Sequence, residues 1–342
     1  MSLNLDNFDY ELPKNRIAKY PLTKREDSKV LFLNKTDSKI EHYKINNLPD
    51  ILSVNDLIVF NNTKVNNWRF YGNLSTGAKV ETLLYDRESE TTFRALLSAN
   101  RKIKENEKIE FKEGLSAIIE FKGEERILHF TENKDFENWL ELEGEVPIPP
   151  YLGRRSESID YKRYQTVFSK KPGSIAAPTA GLHFSKKLIR KILENRINIT
   201  EVTLDIGLGT FTPIKSKNIK EHKMHEEKYD IPKETVMKIM DTRSKGGRII
   251  AIGTTVTRAL ESAYLKSRET LNSGRGISKL FITPGYEFKV IDGLLTNFHL
   301  PRSTLLSLVI AFAGKEVIER AYEVALKEDY RFYSYGDAML IT

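Results

Sequence analysis

The chain has 342 residues, of which 40% are hydrophobic and 30% charged, and it carries a formal net charge of +7 and no cysteine. That length corresponds to about two domains, and the composition is that of a folded globular protein, which excludes disordered, collagen-like and membrane-embedded chains. Without cysteine there can be no disulfide, thiolate nucleophile, Cys-ligated zinc or iron–sulfur cluster.

In chain order, the first residues, MSLNLDNFDYELPKNR, lack the basic stretch and apolar core of a secretory signal. Apolar runs such as Leu305 to Phe312 are far shorter than the roughly 20 residues of a membrane span. The expectation is a cytoplasmic protein with no membrane partner. Pro13 to Tyr20 reads as a helix, and Val30 to Leu33 and Asp56 to Phe60 as short strands. The unbroken apolar run LIVF at Leu57 to Phe60 predicts a buried strand.

Between Trp68 and Phe130 the hydrophobic period changes to two. Segments at Trp68 to Leu74, Lys79 to Tyr85, Thr92 to Leu97, Lys108 to Phe111, Ala117 to Phe121 and Arg126 to Phe130, with Gly72, Gly77, Gly114 and Gly123 near the turns, predict a small antiparallel barrel or sandwich. An acidic helix is expected from Phe136 to Leu142. Val146-Pro-Ile-Pro-Pro150 then forms a natural junction, because proline fixes the backbone and removes donors.

Beyond it, helices at Ser185 to Arg196, Pro232 to Lys245, Thr255 to Lys266 and Ser303 to Phe312 alternate with strands at Asn198 to Leu204 and Arg248 to Ile252. The fold expected is a layered α/β body formed by both ends of the chain, residues 1–65 and 147–342. A small antiparallel β-barrel is inserted at 66–146.

Charge is clustered. Glu132 to Glu145 holds six acidic residues against Lys134, whereas Pro147 to Thr200 holds eleven Lys and Arg against Glu157, Asp160 and Glu194. The basic cluster suits a polyanion, since cations at phosphates release condensed counterions; a solvated Lys-rich surface has the same count.

Five segments carry candidate chemistry. Thr203-Leu-Asp-Ile-Gly-Leu-Gly-Thr-Phe211 resembles the S-adenosylmethionine loop of Rossmann-like methyltransferases, but Thr212-Pro213 and no helical pattern follow it, so Gly207 and Gly209 equally suit a tight turn beside a site. Gly253-Thr254-Thr255 ends an apolar strand and opens a helix, whose free amides and hydroxyls can hold a carboxylate, phosphate or ribose. Arg258 and Glu261 follow on one helix face, either at the site or as an exposed ion pair. His222-Lys-Met-His225-Glu-Glu lacks the spacing of a zinc protease helix, so no metal is expected and His225 is read as a polar substrate contact. His183 and His299 each sit where small or polar residues precede a helix, as acid–base candidates or as structural histidines. Two such segments in one α/β body point to a shared cleft.

Taken together, Phe8 to Pro13, Val59 to Val65, Val146 to Tyr151, Arg163 to Val167, Ala176 to Phe184, Gly207 to Phe211, His222 to Tyr229, Gly253 to Thr255, Thr296 to Thr304 and Tyr335 to Met339 resemble, in order and over the whole chain, the S-adenosylmethionine:tRNA ribosyltransferase-isomerase family of queuosine biosynthesis. The chain departs from the family pattern at Asp205, where His is expected, at Asn66-Asn67, where Ile-Pro is expected, and at Val256-Thr257.

The resemblance implies transfer and isomerisation of the ribosyl group of S-adenosylmethionine onto 7-aminomethyl-7-deazaguanine at the wobble position of tRNA. Epoxyqueuosine, adenine and methionine are the implied products. It also implies a monomer, an α/β domain carrying an inserted barrel, and no cofactor beyond the consumed sulfonium donor. A sulfonium acidifies the neighbouring ribose carbon and adenine leaves better when protonated, so His183 and His299, then Asp337 and Glu261, are the catalytic candidates. Gly207, Gly209, His225, Thr254, Thr255 and Arg258 are the substrate-binding candidates. Lys64, Arg154, Arg155, Arg163, Lys171 and Arg302 are the tRNA candidates. A methyltransferase and a noncatalytic RNA-binding protein are the competing readings.

Overall fold

The computed structural model describes residues 4–131, 135–210, 214, 216, 219–222, 224–265 and 269–342. Glu132, Lys134, Thr212-Pro213 and Lys266, which entered the sequence reading, lie outside them.

The strand Leu57–Asn61 is buried at every position and lies in the interior of a nine-stranded sheet. Asn198–Leu204 pairs with it on one side and Ile249–Ile252 on the other, both parallel, and Gly293–Asn297 extends the parallel set to four. Glu227–Ile231 and Gly274–Ser278 continue antiparallel on one flank, while Ala338–Ile341, Lys29–Leu33 and Ile40–Lys44 complete the other. Alternate residues point to opposite faces. Leu57 and Val59 join a core with the helices Thr254–Ala263, Thr304–Ala313 and Lys315–Lys327, while Ile58 and Phe60 join one with Lys186–Glu194. Helices therefore cover both faces, giving a three-layer α/β body drawn from both ends of the chain.

The period-two segments close into a six-stranded antiparallel barrel whose strands run from Arg69 to Phe130. Helix Phe136–Glu143 plugs it, with Trp139 stacked on Phe70 at 4.8 Å between ring centroids. The chain enters and leaves the barrel side by side: the Arg69 amide donates to the Glu145 carbonyl at 3.1 Å and the Glu145 amide to the Arg69 carbonyl at 2.8 Å.

Two elements differ from the sequence reading. Pro13 to Tyr20 holds only a 3-10 turn at Lys14–Arg16. From there the chain runs extended, the Ala18 amide donating to the Phe332 carbonyl at 3.2 Å and the Phe332 amide to the Arg16 carbonyl at 2.8 Å. Pairing with a distant segment thus outweighs local helical periodicity. The helix expected to reach Lys266 stops at Ala263.

Gly144 sits where the barrel's exit meets its entry, and a Cβ there would collide with the Asn67 backbone carbonyl. Neither backbone segment can yield without breaking the Arg69–Glu145 pairing. Gly144→Ala should therefore destabilise the protein by about 1–3 kcal/mol, the usual cost of overpacking, read as a lower denaturation midpoint than wild type.

Candidate active site

The four parallel strands all end at the same edge of the sheet, where α/β proteins bind ligands. A cavity of about 330 Å³ opens there. Gly253, Thr254 and Thr255 form one wall, Thr296 to Leu305 a second, and Pro178 to Ala180 with Tyr151, Tyr164 and Tyr333 a third. Gly253 takes φ of +93°, which brings the chain from the end of Ile249–Ile252 straight into helix Thr254–Ala263, and side-chain strain would accompany any other residue there. The open amides of that helix N-terminus suit an anionic group.

His299 belongs to this cavity. Its Nε2 lies 2.8 Å from Thr296 Oγ1, and its backbone amide donates to the Tyr322 hydroxyl at 3.0 Å. Burial pushes its pKa down to about 3, so the imidazole is neutral at physiological pH. His183 is elsewhere. It lines a separate cavity of about 20 Å³ with Arg25 and Arg163, its Nε2 has no hydrogen-bond partner, and burial together with Arg331 lowers its pKa to about 3.

A second, much larger cleft of about 1430 Å³ lies between the barrel and the body. Lys64, Asp205, Gly207 and His225 line it, whereas Ile206 and Gly209 line the smaller cavity. The loop 205–209 is thus the partition between the two. Asp205 accepts from Thr63 Oγ1 at 3.2 Å; its partial burial raises its pKa, opposed by Lys228 and Lys171. Gly173 passes so close to this carboxylate that a Cβ would meet it.

Several side chains expected at the site are committed elsewhere. Glu261 accepts backbone amides from Lys289 at 2.9 Å, Val290 at 2.9 Å and Ile291 at 3.2 Å, fixing that segment and reaching neither cavity. Asp337 accepts from the amides of Lys29 at 3.0 Å and Arg331 at 2.8 Å, which makes it a turn support and not an acid–base group. Arg258 is buried against Glu227 through Nη1 and donates from Nε to the Leu280 carbonyl at 3.1 Å, while its Nη2 has no hydrogen-bond partner.

The basic candidates are similarly engaged. Arg302 pairs with Asp9 at 2.7 Å and Asp6 at 3.2 Å, and Lys171 with Asp230 at 2.9 Å. Arg155 packs over the Tyr71 ring of the barrel at 4.5 Å, and Arg163 donates to the Thr23 carbonyl at 3.1 Å. Lys64 is exposed at the cleft rim. The cleft lining itself carries seven carboxylates against four Lys and Arg, the reverse of the charge of the neighbouring sequence. Sequence reasoning missed Tyr333, because what places it at the cavity is a backbone turn with no local pattern. Among the described residues no group of three or more His, Asp or Glu could hold a metal ion.

Arg154 is locked by a bidentate pair to Asp160, at 2.6 and 2.9 Å, and Asp160 also accepts from the Tyr335 hydroxyl at 2.7 Å. Burial alone would raise the Asp160 pKa, but Arg154, the Glu157 amide and Tyr335 together leave it lowered. This pair therefore stabilises the fold above the ordinary carboxylate pKa, and the contribution is lost as pH falls through the depressed value. Arg154→Met should cost about 3–5 kcal/mol at pH 7 by stranding the buried carboxylate, and stability curves of variant and wild type should converge on acidification.

A family model described as "Queuosine biosynthesis protein" matches residues 5–341. A protein of Halothermothrix orenii named S-adenosylmethionine:tRNA ribosyltransferase-isomerase is 46% identical over 99% of this chain and 100% of its own length. One of the same name from Trichlorobacter lovleyi is 44% identical over 98% of each. The crystal structure of a Thermotoga maritima protein titled S-adenosylmethionine tRNA ribosyltransferase is similar at a TM-score of 0.56 and 36% identity, covering 98% of this chain and 100% of that one. With the cavity at the carboxyl ends of the sheet and a match from end to end, the chain belongs to the queuosine biosynthesis protein family.

Proposed function

We propose that this protein is an S-adenosylmethionine:tRNA ribosyltransferase-isomerase, which transfers and isomerises the ribosyl group of the donor onto 7-aminomethyl-7-deazaguanine in the anticodon of a tRNA, releasing adenine and methionine. The observation that carries the reading, beside family membership, is the pairing of two cavities across one thin loop. The enclosed cavity takes the donor, with the methionine carboxylate at the amides and hydroxyls of Thr254 and Thr255. The wide cleft takes the acceptor nucleobase. Its excess of carboxylates suits a nucleobase bearing a cationic aminomethyl group and disfavours phosphates, which fall to exposed cations at the rim such as Lys64. Glycines at 207 and 209 let the partition stay thin enough for an amine on one side to approach a sugar on the other.

His299 acts on the base side of the reaction. Its imidazole is neutral, with Nε2 engaged by Thr296, leaving Nδ1 to receive the proton that the sulfonium makes acidic. Having taken that proton, His299 is an imidazolium and can pass a proton on to the departing adenine. The enzyme consumes S-adenosylmethionine as substrate and uses no cofactor. It works as a monomer in the cytoplasm, in keeping with a tRNA substrate and with described residues that include no helix long and apolar enough to cross a membrane. Residues 1–65 and 147–342 form its catalytic domain and 66–146 the inserted one.

Three measurements test this. Incubation with S-adenosylmethionine should release adenine only when the tRNA carries the aminomethyl base; S-adenosylhomocysteine with the purine intact would identify a methyltransferase instead. His299→Ala should lower turnover by about 10²–10⁴-fold while donor affinity stays near wild type, and the wild-type rate should show no histidine limb near pH 6.5. Affinity for tRNA should fall steeply with salt, and Lys64→Ala should reduce the slope of log K against log salt by about one; an unchanged slope would remove Lys64 from the interface.

A further inference from the structure

Among the described residues the donor cavity has no carboxylate in its lining, and Arg302, the one Lys or Arg among them, is turned to Asp6 and Asp9. A sulfonium entering it meets no opposite formal charge. What the cavity offers instead is aromatic: Tyr151, Tyr164, Phe298 and Tyr333. Tyr151 and Tyr333 are in direct contact, with ring centroids 4.7 Å apart and planes inclined at 56°.

Tyr333 is held in a costly conformation. Its φ is +72°, a region that bulky side chains avoid, and such strain persists only where the surroundings over-determine it. They do so here. The Tyr333 amide donates to the Phe298 carbonyl at 3.1 Å, and its own carbonyl accepts from Asn297 Nδ2 at 2.8 Å and from the Gly336 amide at 2.9 Å. Asp337 ties the two ends of the turn through the Arg331 amide, and Tyr335 anchors it to Asp160. The partner ring is fixed too, by a 2.5 Å hydrogen bond between the Tyr151 and Ser334 hydroxyls. Glycine would sit at this left-handed position without strain, and tyrosine there instead places a buried ring between the core and the cavity. The strain brings an aromatic ring to the cavity wall.

We infer that Tyr333 and Tyr151 form an aromatic wall that recognises the positive sulfonium of the donor and selects S-adenosylmethionine over its neutral thioether counterpart, S-adenosylhomocysteine. The inference rests on the donor cavity assigned above. The ring faces carry the negative side of the aromatic quadrupole, and a cation shielded from water gains most from them. The selection has a purpose within the reaction. Only the sulfonium has the acidic ribose carbon and the thioether leaving group, so a neutral analogue bound equally well would block the site.

The test is calorimetric titration of S-adenosylmethionine and S-adenosylhomocysteine into wild type, Tyr333→Phe, Tyr333→Leu and Tyr151→Leu. Wild type and Tyr333→Phe should prefer the sulfonium by roughly 3- to 30-fold, the range of a partly desolvated cation–π contact. Each leucine variant should lose most of that ratio by weakening S-adenosylmethionine while leaving S-adenosylhomocysteine near its wild-type affinity. Tyr151→Leu keeps the test open should Tyr333→Leu fail to fold. A wild-type ratio in the leucine variant that folds overturns the inference, as does loss of the ratio in Tyr333→Phe. Thr304→Trp, which fills the cavity, separates this from the underlying reading: if it leaves S-adenosylmethionine binding intact, the donor binds elsewhere and the cavity assignment itself fails.

Discussion

The parallel strands at the centre of the sheet are buried on both faces, and this constraint decides where chemistry can happen. Helices seal the two faces, so the backbone can meet a ligand only at the strand ends. At the carboxyl end each strand passes into a segment that bends away: Asn61 into the 63–65 strand, Leu204 into the 205–209 loop, Ile252 through Gly253 into a helix, Asn297 into the His299 segment. The enclosed cavity is the space these four departures leave, and the cleft is the space between one of them and the barrel.

Two buried carboxylates brace the chain beside that space. Asp160 and Asp337 are both buried, and each binds a turn that closes on the C-terminal segment. Through Tyr335, Asp160 links the junction after the barrel to the same turn that Asp337 braces through Arg331. The chain's last strand then inserts between Gly293–Asn297 and Lys29–Leu33, so the two ends of the sequence are fastened together beside the cavity. Strain at Tyr333 is tolerable because this framework is already fixed from both sides.

The barrel was legible because its signal is local. Antiparallel neighbours are joined by short turns, and a period of two with glycine near those turns appears directly in residues 68–130. The LIVF strand was legible for a similar reason, since a strand buried on both faces must be apolar throughout. That His299, Thr254 and Thr255 line one cavity was legible because polar groups between a strand and a helix are visible as a break in pattern. Arg258 and Glu261 were misread because a shared helix face predicts a partnership only when that face meets solvent. In helix Thr254–Ala263 all but two positions are buried, so each residue answers to a different neighbour: Arg258 to Glu227, Glu261 to the backbone at 289–291. Pro13 to Tyr20 failed on the same principle, its partner lying more than three hundred residues away.

The charge distribution makes the same point about the interface. Eleven cations in one stretch of sequence seemed to mark a phosphate surface, yet folding spends Arg154 on a buried aspartate, Arg155 on a tyrosine ring, Arg163 on a carbonyl and Lys171 on Asp230. The barrel contributes carboxylates to the cleft that this stretch adjoins, and Arg87, Arg94 and Lys228 within it are already paired with Glu137, Glu125 and Asp86. Arg154 and Lys171 are compensated by carboxylates and add little to the field outside, whereas Arg155 and Arg163 keep their charge but are held in place by a ring and a carbonyl. The lining of the cleft is therefore richer in carboxylates than in cations, the opposite of what the composition of the adjoining stretch suggests, while Lys64 stays exposed beside it.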